Sequence, residues 1–343
     1  MTQGAAPSRP VTLAEVAIAA GVSKSTASKA LSGRYDVQSG TRERVVAAAA
    51  RLGFMPSAIA RNLSTGRTGT VGVLTNDLEG RFVIPILSGA EDALGAGEIS
   101  VILCDARGDA VREQRQLRTL LERRIDGLIV VGGARTEPRA SLGRNLPVPV
   151  VYAYAPSADP EDVSVVVDNL QAGSVAAAHL WEMGRRKIAF VGGDPTYVAN
   201  HERQAGARAA LAARGGELLT SETSNGSWTE RWGRAVTGRL LAKHPEIDAI
   251  IGASDMLARS ALDVLRDHNR PVPDDVAVVG FDNWTTIATN TRPELTSVDL
   301  GLEALGRRAA ELVFAALNGG AAAPGVELRP VRLVVRDSTQ SDR

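Results

Sequence analysis

The side chains best placed to do chemistry in this sequence are polar groups that follow short apolar runs. Asn76 and Asp77, Asp105 and Arg107, Gly132 and Gly133, Tyr154, Gly192-Gly193-Asp194, Ser254 and Asp255, and Asp282 and Asn283 all stand in such places. If the runs are strands of parallel sheets, these groups collect at the strand ends, where open α/β sheets bind small polar molecules. Taken singly, an Asp, Ser or Asn there also serves to cap the helix that follows, and Asp255 and Asn283 fit that role equally well. Catalytic patterns are missing. His179, His201, His244 and His268 are dispersed without metal-binding spacing, and there is no Gly-x-Ser-x-Gly elbow or Walker loop. The Gly-rich stretch Val191-Gly192-Gly193-Asp194-Pro195 contains a proline and lacks the third glycine of a dinucleotide fingerprint. Cys104 is the single cysteine, so neither a disulfide nor a cysteine-based zinc site can form, and as a small hydrophobe it needs no role. No metal, no cofactor and no enzymatic activity are expected.

The elements that must hold the polar groups are legible as a pattern. Strands are expected at 70–74, 100–103, 127–131, 148–152, 165–167, 187–191, 249–251 and 276–279. Helices are expected between them at 86–94, 111–123, 171–183, 203–214, 229–243 and 258–267. Near-continuous apolar strands separated by helices mean parallel sheets in βαβ units, with enough units for two sheets and no internal sequence repeat. A chain of 343 residues suits two or three domains. With 44% hydrophobic, 23% charged and only 4% aromatic residues, it can bury a large core and is neither disordered nor an aromatic-rich sandwich. No run approaches the ~20 apolar residues of a membrane span, and the first ten residues lack the apolar centre of a secretory signal. A soluble, cytoplasmic protein with no membrane partner is expected.

Net charge is +0, but it is unevenly spread. Residues 1–67 carry nine Lys and Arg against three acids, which leaves 30 basic and 36 acidic side chains for 68–343. A basic head on an acidic body suggests a polyanion-binding module joined to something else. Thr12 and Glu15 form a capping box that opens a helix with Leu13, Val16 and Ala17 on its apolar side, and Gly21 ends it. Ser23 caps a second helix to Leu31, with Ala27, Ala30 and Leu31 inward and Lys24, Ser25, Ser28 and Lys29 outward. A third helix is expected at 41–52, with Val45, Val46, Ala49 and Leu52 on one side and Arg42, Arg44 and Arg51 available for phosphates. Two short helices around a tight Gly turn, the second lined with small polar and basic residues, describe a helix-turn-helix. An α-hairpin with a solvated face would share the patterning. A two-turn helix at 58–64 is too short to stand alone in water and suits folding on a partner.

Val11-Thr12-Leu13-Ala14-Glu15-Val16-Ala17, Ala20-Gly21-Val22-Ser23, Thr26, Ser28 and Phe54-Met55-Pro56-Ser57, continued by Ala60-Arg61, Leu63 and Gly66-Arg67-Thr68, resemble the head and hinge of the lactose/galactose repressor (LacI/GalR) family. The resemblance implies that Lys24, Ser25 and Lys29 read bases of double-stranded DNA. It makes Thr26, Ser28 and Asn62 candidates for backbone contact, adds Arg61 to the interface, and makes Leu63 a wedge for the minor groove. In the body, Arg203-Gln204-Ala205-Gly206 is similar to the family's Arg-x-x-Gly element, whose arginine holds the effector. Gly280-Phe281-Asp282-Asn283 is similar to its Gly-aromatic-Asp segment, whose Asp accepts hydrogen bonds. Trp228 falls where a ring can stack on a ligand, Ser254-Asp255 where many members have Asn-Asp, and Tyr154 where a sugar-binding relative has an acid.

The resemblance therefore implies an all-α helix-turn-helix DNA-binding head and an α/β periplasmic-binding-protein-like body of two interleaved lobes with parallel sheets. A disordered arm at 1–10 precedes the head at 11–57 and a hinge at 58–68, and the body spans 69–337. Its first lobe would hold 69–168 and 295–324, its second 169–294 and 325–337, and 338–343 would be a frayed tail. The implied function is that of a ligand-responsive repressor that binds a pseudo-palindromic operator as a homodimer. The effector would be a small polar molecule between the lobes: a sugar is favoured, and a nucleoside or purine is possible. Asn76, Asp77, Tyr154, Arg203, Trp228, Ser254, Asp255 and Asp282 are the expected effector contacts. A solute-binding protein of the same fold without DNA recognition is the alternative.

Overall fold

The computed structural model describes residues 9, 11–31, 37–54, 67–78, 81–95, 99–133, 139–219 and 224–340. The chain divides into two compact units, Met1–Thr68 and Gly69–Arg343. Among the described residues the first unit has three helices, each with a local reason to begin where it does. At the start of α1 (Leu13–Ala20) the Thr12 N–H donates to the Glu15 carboxylate at 2.7 Å, and the Glu15 N–H donates to the Thr12 hydroxyl. Gly21, at φ 65°, ends the helix in a left-handed conformation that glycine adopts without steric cost. The Thr26 N–H then donates to Ser23 Oγ at 3.1 Å, which opens α2 (Lys24–Leu31). In α3 (Ser39–Leu52) the buried side is Val45, Ala48 and Ala49, with Val16, Ala17, Ala20, Ala27 and Ala30 opposite. Val46, expected inside, is half exposed. It lies about 100° round the helix from Val45, off the i, i+3, i+4 stripe that Ala48 completes. The hinge at 58–68 lies outside the described residues except for Arg67 and Thr68, as does the arm at 1–10 except for Arg9.

The second unit opens with β1 (Thr70–Thr75), α4 (Val83–Gly95), β2 (Ser100–Asp105), α5 (Ala110–Glu122), β3 (Gly127–Val131), β4 (Val150–Ala153) and β5 (Val163–Val167). It continues through α6 (Asn169–Glu182), β6 (Ile188–Val191), α7 (Val198–Ala212), β7 (Leu218–Leu219), α8 (Glu230–Lys243), β8 (Ala249–Gly252), α9 (Asp255–Asp267), β9 (Ala277–Phe281) and α10 (Thr285–Ala288). The last elements are β10 (Thr296–Asp299), α11 (Leu302–Leu317), β11 (Gly325–Arg329) and β12 (Arg332–Val334). They form two six-stranded sheets of order β11-β5-β4-β3-β1-β2 and β12-β10-β9-β8-β6-β7. Every pairing is parallel except β10 with β12. The central strands are buried on both faces, which explains their continuous apolar runs.

The lobes are interleaved, with boundaries that differ from those expected. Thr296–Asp299 pairs with β9 and so belongs to the second sheet, not the first. Gly325–Arg329 pairs with β5 and so belongs to the first sheet, not the second. Both strands were hard to see because each is a short edge or near-edge strand without an apolar run. The chain therefore crosses between lobes near 168, 300 and 330. The tail expected to fray at 338–343 is docked through residue 340. Ser338 and Thr339 are buried, Ser338 Oγ donates to the Val278 carbonyl at 2.6 Å, and the Val278 N–H donates back to Ser338 O at 2.9 Å. β10 begins its pairing with β9 only at Val279, so Val278 has open backbone groups that Ser338 fills.

Small residues let helices approach closely where the site needs them. A Cβ on Gly173 of α6 would lie 1.9 Å from the Arg203 carbonyl, and one on Gly206 of α7 would lie 2.0 Å from the Leu170 carbonyl. These two glycines allow α6 and α7 to cross backbone to backbone, which fixes where Arg203 emerges. Among the described residues no helix is long and apolar enough to cross a membrane.

Candidate functional site

On the head, Lys24, Ser25, Ser28 and Lys29 are exposed along one side of α2, opposite the buried Ala27 and Ala30. Thr26 is half-buried, and its hydroxyl sits 2.8 Å from Ser23 Oγ, which also lies 2.9 Å from Ser25 Oγ. The face thus presents two lysines and short hydroxyls on a helix whose first turn is pinned by Ser23. Arg61, Asn62 and Leu63 lie outside the described residues.

In the body, a cavity of about 370 Å³ opens at the C-terminal ends of the strands of both sheets. The first lobe contributes Thr75, Asp77, Arg81, Phe82, Gly132, Gly133 and Tyr154; the second contributes Tyr197, Arg203, Trp228, Ser254, Asp282 and Trp284. Six of the eight expected contacts, Asp77, Tyr154, Arg203, Trp228, Ser254 and Asp282, are brought together here. Asn76 is not in this wall; its side-chain oxygen is buried without a hydrogen-bond partner. Asp255 is also outside it, and both its oxygens are spent internally. Oδ1 accepts from Ser297 Oγ at 2.5 Å and Oδ2 accepts from the Trp284 N–H at 2.7 Å. Being the first residue of α9, it faces inward to anchor the loop after β9, whereas Ser254, one residue earlier, caps the helix and keeps its place in the cavity wall.

Arg203 is almost wholly buried and held from several sides. Its Nε donates to Asn169 Oδ1 at 3.0 Å, its Nη1 donates to the Ala253 carbonyl at 2.7 Å, and its guanidinium lies 4.9 Å from the centre of the Phe281 ring. Asp282 stands between two cations, with Arg203 Nη1 at 3.6 Å and Arg81 Nη1 at 3.2 Å. Neither Asp282 oxygen has a hydrogen-bond partner, nor does Arg81 Nη1, so the pairing is by charge without aligned hydrogen bonds. Burial raises the pKa of both Asp282 and Asp255. The two arginines oppose this at Asp282, whereas at Asp255 the charge of Asp282 adds to it and carries the value up to about 8. Asp282 thus stands raised by burial in spite of its two arginine partners, and Asp255, carried to about 8, keeps its proton at neutral pH.

The aromatic walls are equally constrained. Phe82 and Tyr154 stack at 4.6 Å and 20°, and Tyr197 meets Trp228 edge-on at 5.9 Å. A Cβ on Gly193 would come within 2.3 Å of the Trp228 ring, so the ring can lie on that loop only because glycine is there. The Gly193 N–H donates to Asn200 Oδ1 at 2.8 Å, and Asn200 Nδ2 donates to Asn225 Oδ1 at 2.9 Å, locking the two loops together. Tyr154 at φ 73° and Asp282 at φ 100° hold left-handed backbone conformations unusual for side-chain-bearing residues. Such geometry costs on the order of 1–3 kcal/mol per residue and persists only where the surroundings enforce it.

Sequence reasoning missed Arg81, Phe82, Tyr197 and Trp284. They lie several residues beyond a strand end or at the start of a helix, and only the packing of one lobe against the other turns them into one wall. The arrangement can accept hydrogen bonds at Asp282, donate them from Arg203, and stack flat apolar faces on indole and phenyl rings.

Comparison with known proteins agrees with both halves. Residues 12–57 match the family described as bacterial regulatory proteins, lacI family, and residues 177–339 match a periplasmic binding protein-like domain. The HTH-type transcriptional regulator CelR of Thermobifida fusca is 35% identical over 334 residues, which covers 95% of this chain and 98% of that one. A solved complex of transcriptional regulator CelR with cellobiose has a TM-score of 0.67 at 32% identity, covering 96% of this chain and 100% of the other. The lac repressor dimer bound to operator and the anti-inducer ONPF has a TM-score of 0.77 at 25% identity, covering 97% and 100%. With a family model on its head and a relative spanned almost end to end, this chain belongs to the lacI family of bacterial regulatory proteins.

Proposed function

We propose that this regulator binds a pseudo-palindromic operator as a homodimer and that a neutral sugar in the interlobe cavity alters its affinity for DNA. The observation that carries the ligand half is Asp282: a buried carboxylate with two free acceptor oxygens, facing a cavity walled by Trp228, Phe82 and Trp284. A pair of hydroxyls on adjacent carbons satisfies two such acceptors, and the apolar face of a pyranose suits the rings. The complex of CelR with cellobiose supports a sugar as the ligand of this fold. The DNA half rests on α2, where Lys24, Ser25 and Lys29 would read bases while Thr26 and Ser28 contact backbone. Arg61, Asn62 and Leu63 belong to the same proposal. The protein acts in the cytoplasm and releases its ligand unchanged.

The test uses the full chain. A duplex pool with a random centre is selected for binding, and the selected site is then titrated with and without sugars, sugar phosphates, nucleosides and purines. An inverted repeat should emerge, and a sugar at ~100 times its Kd should add about 2.7 kcal/mol to thermal stability while changing operator affinity. Selection without an inverted repeat overturns the operator reading. A nucleoside or purine as the only hit overturns the sugar reading.

A further inference from the structure

Arg81, Phe82, Asp282 and Trp284 are a shared wall. Behind them lies a second cavity of about 640 Å³, bounded by Thr285, Leu302, Glu303 and Arg332 among others. We propose that the two cavities are chambers of one site, that Arg81 is the movable partition between them, and that the ligand is an oligosaccharide of three or more units. The inference rests on the sugar reading above and specifies its chain length.

Arg81 is bound in a way that a ligand can replace. Its contact with Asp282 is an ion pair at 3.2 Å in which neither partner atom makes a hydrogen bond. Its guanidinium also covers the Trp284 ring, 5.1 Å from the centroid. A sugar unit supplies both things that Arg81 supplies now: hydroxyls for the Asp282 oxygen and an apolar ring face for the indole. Asp282 is not stranded when Arg81 leaves, because Arg203 remains 3.6 Å from its other oxygen, held by Ala253 and Asn169. One arginine is thus fixed and one is releasable. Trp284, 37% exposed and lining both chambers, provides a continuous stacking surface from the first to the second. Beyond it the second chamber offers the Glu303 carboxylate as an acceptor for further hydroxyls, beside Arg332, whose Nε and Nη2 donate to Asp299 Oδ2.

The experiment is isothermal titration calorimetry of the full chain with cello-, malto- and xylo-oligosaccharides of one to five units. In the ladder that binds, the Kd should fall at least about tenfold from two units to three. Thr285→Trp puts bulk into the second chamber from an exposed position outside the first. It should abolish that gain and leave the two-unit sugar within about twofold of the parent. Arg81→Ala should keep the preference for three units. Equal affinity for two and three units, a gain that survives Thr285→Trp, or loss of three-unit binding in Arg81→Ala each overturns the inference while leaving the sugar reading intact. Failure of every sugar of every length to bind overturns the sugar reading and this inference with it.

Discussion

Replacing Asp282 by asparagine changes one atom and one charge at the centre of the cavity. In the parent, both carboxylate oxygens are buried and free to accept, with Arg203 and Arg81 alongside. A hydrogen bond to a charged group contributes about 1.5–3 kcal/mol, against about 0.5–1.5 kcal/mol for a neutral pair. Asparagine keeps one neutral acceptor and turns the other oxygen into a donor, so two charge-assisted bonds become at best two neutral ones. The expected loss is about 2–3 kcal/mol, or roughly 30- to 150-fold in Kd for the effector sugar. Calorimetry on the full chain measures it. Operator affinity without sugar should stay within about twofold, because the substitution is far along the chain from α2 and Arg203 retains its Asn169 and Ala253 contacts. A sugar Kd within about threefold of the parent would refute the reasoning, since a ligand on Asp282 cannot be indifferent to its charge.

Three other perturbations follow from the geometry. A chain ending at Asp337 leaves the Val278 and Thr296 N–H groups without their acceptors on Ser338. At ~1–3 kcal/mol for each buried orphan, this should lower the melting temperature by about 5–15 °C in calorimetry, and an unchanged Tm would show the segment to be idle. Asp255 keeps its proton in the fold up to about 8, whereas an ordinary aspartate loses it near 3.8. Between those values the folded state binds the extra proton, so this group's contribution to stability falls as pH rises. Asp255→Asn, which cannot ionise, should flatten the fall in Tm between about pH 4 and about pH 8, and parallel curves for parent and variant would count against the assignment. Lys29→Ala should cost about 1–3 kcal/mol on the selected operator and less on random duplex, as read by fluorescence anisotropy at fixed salt. Equal losses on both would make Lys29 a phosphate contact.

What the sequence showed and what it hid divide along physical lines. The capping box at Thr12 and Glu15, the stop at Gly21 and the cap at Ser23 are local events, decided by residues within one turn, and all are legible. The buried strands announce themselves because both faces need apolar side chains. Thr296–Asp299 has a single apolar residue and lies beside an edge strand, and Gly325–Arg329 is an edge strand with two exposed apolar side chains, so pattern alone gives neither away. That is why the lobe boundaries at 295 and 325 were misplaced by a few residues. Arg203 was found through its motif, and the structure supplies the reason for the motif's glycine: Gly206 is where α7 meets α6 at backbone distance. Arg81 could not be found this way. Its importance lies in reaching across a cleft, and no spacing along the chain records that. Asp255 stands at a strand end like a ligand contact, yet α9 turns it inward.

The three crossings between lobes also order events in time. Among the described residues the core of the helix-turn-helix head is built from 11–54, and it can fold as soon as that stretch leaves the ribosome. Neither sheet can do so. The first waits for β11 to close its edge beside β5, and the second waits for β12 and for Ser338 to reach Val278. Throughout synthesis of the body, a finished DNA-binding head is therefore tethered to a sensor with two open edges. Only once β11, β12 and Ser338 have emerged is the head answerable to a ligand.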